Sequence, residues 1–387
     1  MQNDGVEDKV LSRILAPPRS SFFLFGPRGT GKSTWLKQQF PSARRIDLLD
    51  EGLYQELLAR PGLFAELIAA EKNQAWVIVD EVQRLPNLLN EVHRAIEDRR
   101  LRFALSGSST RKLKRAGVNL LGGRAARLTM FPFLPEELGA RFHLSDALQT
   151  GTLPLVVADL EPETALARYS QSYLRDEIQA EALARNIPGF ARFLPVAALF
   201  HAQVLNVSSL ARDAGVQRTT VNDYLEILED TLLGFRLPAW EAKARVRERR
   251  HPKLYWVDPG VVRAIKRQRG PVAAEEAGPL FEGLVAMMLR AYGEHRGAFE
   301  EMRYWASNTL EVDFVLSRGK RLIAVEAKVS ARLRDEDLKG LRALAALPDL
   351  ERKILVYRGR SLTTADGIEA LGFADFDAEL RAGKLFQ

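Results

Sequence analysis

Gly26-Pro27-Arg28-Gly29-Thr30-Gly31-Lys32-Ser33-Thr34 sets three glycines ahead of a lysine and two hydroxyl residues. That spacing suits a phosphate chain. Glycines let backbone N–H groups crowd around a β-phosphate, Lys32 reaches the β- and γ-phosphates, and the Ser33 hydroxyl holds Mg²⁺. A helix N-terminus following the loop adds the positive end of its dipole. Further along, the apolar run Trp76-Val77-Ile78-Val79 ends in Asp80-Glu81. Asp80 is placed to complete the Mg²⁺ shell, and Glu81 to orient or deprotonate an attacking water. A third run, Leu101 to Leu105, ends in Ser106-Gly107-Ser108-Ser109. Ser106, with Ser108 as second choice, is the polar residue predicted to contact the water or the γ-phosphate.

A second constellation lies near the C-terminus. Glu311-Val312-Asp313-Phe314-Val315-Leu316 reads as a strand, Ser317 to Lys320 as a turn, and Arg321 to Lys328 as the returning strand. A turn centred on Arg318-Gly319 sets Asp313 opposite Ala324, with Glu326 as its diagonal neighbour. Side chains alternate along a strand, so Asp313, Glu326 and Lys328 share one face, where two carboxylates can converge on a divalent ion. A one-residue slip would break the grouping.

These residues need elements to hold them. Phe22 to Phe25 reads as a buried strand entering the loop, and Ser33 to Phe40 as the helix leaving it. Uninterrupted apolar runs are the mark of parallel strands covered on both faces, whose carboxyl ends collect chemistry. Residues 6–15 read as a short amphipathic helix stopped by Pro17-Pro18. The nucleotide-binding core runs from about Ser21 to Gly139, with Met130 to Pro135 as closing strand and exit, and Gly151-Thr152-Leu153-Pro154 as a linker. Glu163 to Arg185 carries Leu166, Tyr169, Tyr173 and Ile178 at helical spacing. Ser208 to Leu225 has a helix-turn-helix pattern, with Ala214-Gly215-Val216 at the turn. Phe235 to Trp240 is a candidate wing strand with the basic run Lys243 to Lys253 at its tip. Gln217, Arg218, Thr219, Thr220 and Asn222 then face bases or phosphates. The alternative is a lid that only packs and transmits motion.

The order GPRGTGKS, VIVDE, ALSGSS, Leu121-Gly122-Gly123-Arg124 and Lys253-Leu254-Tyr255-Trp256-Val257-Asp258-Pro259-Gly260 resembles AAA+ ATPases, in particular a bacterial and archaeal group with a long C-terminal domain of uncharacterised function. The resemblance implies ATP and Mg²⁺ as cofactors. It also implies a homo-oligomeric ring, a hexamer, in which a neighbour's arginine completes the site. Arg124 is the first candidate for that finger, with Arg127 and Arg111 as rivals. The hairpin resembles the PD-(D/E)XK nuclease superfamily. By that likeness Asp313 and Glu326 hold Mg²⁺ or Mn²⁺, Lys328 positions water, and Glu282 of a preceding helix completes the set. Val312 stands where the superfamily pattern has proline. An active nuclease, a scaffold that only binds, and a half-exposed charged face all remain open for the hairpin.

The predicted fold class is α/β. Residues 1–140 form a parallel-sheet AAA+ domain, 141–255 a helical and winged-helix region, and 256–387 a restriction-endonuclease-like domain. The chain has 387 residues, no cysteine, five histidines and a formal net charge of +6. Absence of cysteine excludes disulfides and thiolate metal sites and fits a reducing cytoplasm. The polar, acidic start is unlike a signal peptide, and no apolar run approaches the ~20 residues of a membrane helix. Excess positive charge permits DNA as partner. The competing functions are an ATP-driven machine that remodels or translocates DNA, an ATP-controlled metal-dependent DNA nuclease, a slow-turnover signalling or defence switch, and a module that uses ATP only to assemble.

Overall fold

A computed structural model of the protein describes residues 11–111, 113, 124–173, 186–240, 251–307 and 309–387. Its first sheet has five parallel strands in the order β2-β3-β4-β1-β5. They are β1 (Phe22–Phe25), β2 (Arg44–Asp47), β3 (Trp76–Asp80), β4 (Arg102–Gly107) and β5 (Ala126–Thr129). The apolar runs divide by the strand period of two. Phe22, Leu24, Ile78 and Ala104 pack on one face with Trp35, Leu36 and Met130. Phe23, Phe25, Val77, Val79, Phe103 and Leu105 pack on the other, under the helix Leu88–Arg99. Both faces are therefore buried, as unbroken apolar strands require. Strand β4 lies between β3 and β1, with Leu24 beside Ser106 and Val79 beside Leu105. The carboxyl ends carrying Asp80, Ser106 and the glycine loop thus converge.

Three expectations need correction here. Of the helix expected over residues 6–15, residues 6–10 lie outside the described residues, and 11–15 form no helix. Arg13 instead forms a buried ion pair with Glu137 (3.2 Å), and the Ile14 N–H donates to the same carboxylate. The closing strand is Ala126–Thr129, with Met130 to Leu134 running on as buried coil. Gly151 to Pro154 is no free linker. Gly151, Thr152 and Leu153 are buried, and the Thr152 N–H donates to Asp258 Oδ2 at 2.7 Å. A side chain at Gly151 would begin 1.8 Å from Asp258 Oδ1, so only glycine admits this approach.

The middle of the chain builds a second sheet, β6 (Gln203–Val204), β7 (Gly234–Leu237) and β8 (Lys253–Trp256), ordered β6-β8-β7. Helices Val207–Ala214 and Arg218–Asp230 meet at Gly215, whose φ of 63° makes the turn the sequence predicts. Leu210, Ala211, Val221, Leu225 and Leu228 face inward. Gln217, Arg218, Thr219 and Asn222 are exposed, and Thr220 is half-buried. The expected boundary at 255/256 falls inside β8, which pairs along its length with β7. Helix Pro162–Arg168 passes into a wider turn at Tyr169–Tyr173; the rest of the predicted helix, with Ile178, lies outside the described residues, as do Leu121 to Gly123 and residues 243–250 of the basic run.

The third sheet is mixed, ordered β13-β14-β12-β11-β10-β9, from β9 (Glu301–Ser307), β10 (Leu310–Arg318), β11 (Arg321–Lys328), β12 (Leu350–Tyr357), β13 (Leu362–Thr363) and β14 (Glu369–Gly372). Helix Ala274–Arg296 packs on one face, joining this sheet and the helix-turn-helix unit in one core. The chain therefore has the predicted α/β class, with a parallel sheet, a helical middle and a mixed C-terminal sheet.

Candidate functional site

At the carboxyl ends of β1, β3 and β4, the loop from Gly26 turns through Gly29 (φ 80°) and Gly31 (φ 85°) into helix Lys32–Gln39. Lys32 Nζ donates to the carbonyls of Gly26 (2.7 Å) and Pro27 (3.2 Å). The Thr30 hydroxyl donates to Pro27 O at 2.7 Å, and Ser33 and Thr34 lie on the first turn. The loop therefore holds the curled backbone, the lysine and the hydroxyls that a Mg²⁺-bound triphosphate requires. Arg28 is exposed at its rim.

Ser106, fully buried, donates its hydroxyl to Asp80 Oδ1. Glu81 adopts a left-handed conformation, φ 56°, which a non-glycine residue holds only where neighbours over-determine it. Gln83 supplies that hold. Its amide donates to Glu81 Oε2 (2.5 Å) and to the Ser108 hydroxyl (3.1 Å), and Ser108 donates to Glu81 at 3.4 Å. Sequence reasoning missed Gln83; its one signal was a polar residue two places beyond the acid pair.

Of the finger candidates, Arg124 is exposed and ion-paired to Glu97 of its own chain. Arg127 is exposed and lies 5.5 Å over the Phe25 ring. Arg111 is corrected: it is buried against Asp230 (3.2 Å), where Thr110 N–H also donates to Asp230 O, so it fastens the parallel sheet to the helix-turn-helix.

The second constellation is assembled, in a different register. Arg318 faces Arg321 and Val315 faces Ala324, so the turn is centred on Gly319-Lys320. The two-residue shift preserves the face parity, and Asp313 comes directly beside Glu326 instead of diagonal to it. Pairing with β9 slips between Val312 and Val315, a bulge at Asp313-Phe314. Bulges of this kind re-aim a side chain. The β10–β11 ladder ends at Phe314 and Val325. Beyond it, carboxylates take the ladder's place. Ala327 N–H donates to Asp313 Oδ2 (3.0 Å), and Asp313 N–H to Glu326 Oε2 (3.3 Å). Lys328 Nζ lies 2.6 Å from Glu326 Oε1.

Lys253 enters this cluster from β8. Its Nζ lies 2.9 Å from Glu282, 2.5 Å from Glu311 and 3.0 Å from Asp313, with the side chain 1% exposed. Tyr255 donates to Glu282 Oε1 at 2.5 Å. Lys253 was expected at the end of an exposed basic run, and that is corrected: it heads a buried strand. Burial pushes the Glu282 carboxyl up to about 8, with Asp313 adding repulsion against the pull of Lys253. Burial likewise pushes Glu326 up to about 8, with Asp313 again adding to it. Burial pulls Lys253 down, but Asp313, Glu282 and Glu311 outweigh it and the ammonium stays charged. Among the described residues, no three acid or imidazole side chains surround a position for a metal ion. The expected metal set Glu282, Asp313 and Glu326 is thus gathered, but divided between two ammonium groups.

The two sites are connected. Leu155 N–H donates to Gly29 O (3.1 Å), and its side chain lies on Gly29. Leu155 follows the Gly151–Pro154 segment, which Asp258 holds, and Asp258 lies two residues past β8. Asp258 also caps helix Pro259–Ile265 by accepting from Val261 N–H.

Residues 18–139 match the family model described as AAA domain, residues 141–271 that of Domain of unknown function (DUF8612), and residues 277–376 that of Domain of unknown function (DUF4143). Uncharacterized proteins of Mycobacterium tuberculosis and Mycobacterium bovis are each 26% identical over 346 residues, covering 87% of this chain and 76% of theirs. Among solved structures, the chain is similar to the Aeropyrum pernix ORC1 protein in complex with DNA (12% identity, 65% of this chain and 87% of that one, TM-score 0.26). It is also similar to a signal transduction ATPase with a tetratricopeptide repeat sensor from Pyrococcus horikoshii (13% identity, 70% and 43%, TM-score 0.21). Overlaps this slight carry no functional argument. Residues 18–139 form an AAA+ ATPase domain, a class that uses ATP and Mg²⁺. Among the described residues, no helix is long and apolar enough to cross a membrane.

Proposed function

We propose that the chain is an ATP-hydrolysing machine whose nucleotide state is passed to a DNA-engaging C-terminal half. The observation that carries this reading is the seat of Leu155 on Gly29, on a segment that Asp258 ties to β8. Bound Mg²⁺·ATP supplies the γ-phosphoryl group. Lys32 and the backbone N–H groups of the Gly26–Thr34 loop, Pro27 excepted, bind the phosphates, while Ser33 and Asp80 hold the metal. Ser106 orients Asp80. Glu81 orients the attacking water, and Gln83 keeps it turned aside until the phosphate arrives. DNA-stimulated ATP turnover tests the reading; turnover indifferent to duplex, branched and single-stranded DNA would overturn it.

In this proposal the helix-turn-helix, with strands β7 and β8, is a winged helix. The exposed Gln217, Arg218, Thr219 and Asn222 support that assignment. Arg218→Ala should weaken binding to all DNA sequences and lower the slope of log affinity against log salt by about one. Fluorescence anisotropy across a salt series reads this, and an unchanged slope assigns Arg218 to solvent.

The ring is likewise part of the proposal. Arg124 pairs only with a surface glutamate among the described residues, an arrangement worth little and easily exchanged for a neighbour's phosphate. Arg124→Ala should bind ATP and hydrolyse it slowly. Mixing it with Lys32→Ala should restore turnover, since one variant supplies the cradle and the other the finger. No recovery at any mixing ratio rules out action in trans.

A second reading, a slow switch over a nuclease-like domain, is favoured by one observation: the acid cluster is already occupied from within by the Lys253 ammonium.

A further inference from the structure

We propose that the carboxyl edge of the C-terminal sheet is a second DNA-contacting surface, where Arg332, Arg358 and Arg360 take the phosphate backbone of a duplex. The inference deepens the DNA-engaging reading above and rests on it.

Topology puts this surface where the ligands of open sheets collect. Strands β11, β12 and β14 run parallel and end level, with Lys328 beside Tyr357 and Tyr357 beside Gly372. The crevice outside the carboxyl ends of parallel strands is the usual seat of a ligand. An open cleft of about 420 Å³ lies there, and Arg358, Gly359, Arg360, Ser361 and Asp375 are among its walls.

The arginines stand on a fixed turn. Arg358 N–H donates to Ser330 O at 3.0 Å, and the Tyr357 hydroxyl donates to Arg360 O. Gly372 N–H donates to the Ser361 hydroxyl at 2.9 Å. A side chain at Gly359 would begin 2.2 Å from the Tyr357 ring and 2.7 Å from Ala331 O, so the loops at 330–332 and 358–361 are in close contact. All three arginines are exposed, and among the described residues none pairs with a carboxylate. Arg334, two residues beyond Arg332, is by contrast paired with Glu336 at 3.2 Å. Asp375, the acid in the cleft, accepts the Ser361 hydroxyl.

Uncommitted guanidiniums on a rigid turn suit phosphate oxygens, which they meet with their planar fork of donors. The chemistry also selects backbone over bases. Phe373, the aromatic residue in the cleft wall, is buried and stacked on Phe142 at 5.7 Å, and Tyr357 is buried as well. Among the described residues the cleft thus offers no ring on which an unstacked base could lie. The contact is therefore with the backbone of a duplex and independent of its sequence.

The test is fluorescence anisotropy of a labelled duplex with the full chain across a salt series. Arg358→Ala with Arg360→Ala should lower the slope of log affinity against log salt by about two, whatever the duplex sequence. Arg332→Ala alone should lower it by about one. Arg358→Lys with Arg360→Lys should keep the slope, since charge sets it. Arg318→Ala with Lys320→Ala removes the same charge from exposed positions at the opposite end of β11 and should leave the slope unchanged. ATP turnover without DNA should match the parent in every variant, which shows each to be folded. An unchanged slope in the Arg358 and Arg360 alanine pair overturns the surface, as does an equal fall in the Arg318 and Lys320 pair. Either result leaves the DNA reading in place, which Arg218→Ala tests separately. An effect confined to single-stranded DNA overturns the duplex assignment. If the parent binds no duplex at any salt, the DNA reading falls, and the surface with it.

Discussion

Glu81→Gln is expected to bind ATP as the parent does and to hydrolyse it about 10²–10⁴-fold more slowly, the range that a positioned base contributes. The substitution leaves the loop, Lys32 and Ser33 intact. It keeps an oxygen facing Gln83 but removes the carboxylate charge that polarises water. Lys32→Ala should behave oppositely. It removes the charge-assisted contacts to the β- and γ-phosphates, each worth about 1.5–3 kcal/mol, so ATP affinity should fall by roughly 10–100-fold or more. Equilibrium binding of a fluorescent ATP analogue and steady-state phosphate release separate the two. Unchanged affinity in Lys32→Ala, or unchanged turnover in Glu81→Gln, would remove these residues from the roles proposed for them.

The second large effect is expected at Asp258. Its carboxylate is fully buried and accepts N–H groups of Thr152 and Val261. Asp258→Ala strips the helix cap, worth about 1 kcal/mol, and orphans a buried donor, at about 1–3 kcal/mol more. A loss of about 2–4 kcal/mol should appear in denaturant unfolding, with weakened response of DNA binding to ATP. Burial raises this carboxyl from 3.8 to about 6, against the N–H groups that hold it down. Because the folded value lies above the unfolded one, its contribution to stability is complete below the unfolded value and is lost as pH rises through about 6. Asp258→Asn should flatten that part of the stability profile. A parent profile with no such slope would show that the carboxyl stays ionised throughout.

Much of the nucleotide site was legible because it is local. Strands β1, β3 and β4 announce themselves by apolar runs; Asp80 and Ser106 come directly after Val79 and Leu105, and the phosphate loop leading to Lys32 comes directly after Phe25. Gln83 was less visible, since its role depends on the left-handed turn at Glu81 that brings it back toward Ser108. The second cluster was legible in composition and misjudged in register. Its turn sits one residue later than the sequence suggests, and only the even size of the slip kept Asp313, Glu326 and Lys328 together. Lys253 was illegible as a partner, because nothing near it in sequence reveals that a lysine beginning an apolar strand is neutralised by acids from 29 to 60 residues downstream. A charged residue heading the run Leu254-Tyr255-Trp256-Val257 was nonetheless the signal to heed, since a lysine is almost never fully buried unpaired.

The bulge at Asp313 has a bearing on how such a domain ages. Its carboxylate and that of Glu326 stand in for two carbonyls at the open end of the β10–β11 ladder, receiving the N–H groups of Ala327 and Asp313. A lineage that gave up metal chemistry here would still be held to both acids, because discarding either frays the hairpin. Retention of the pair therefore records the needs of the strand, whatever the history of the reaction, and kinship with cleaving enzymes read from these two positions alone would outlast the cleavage itself.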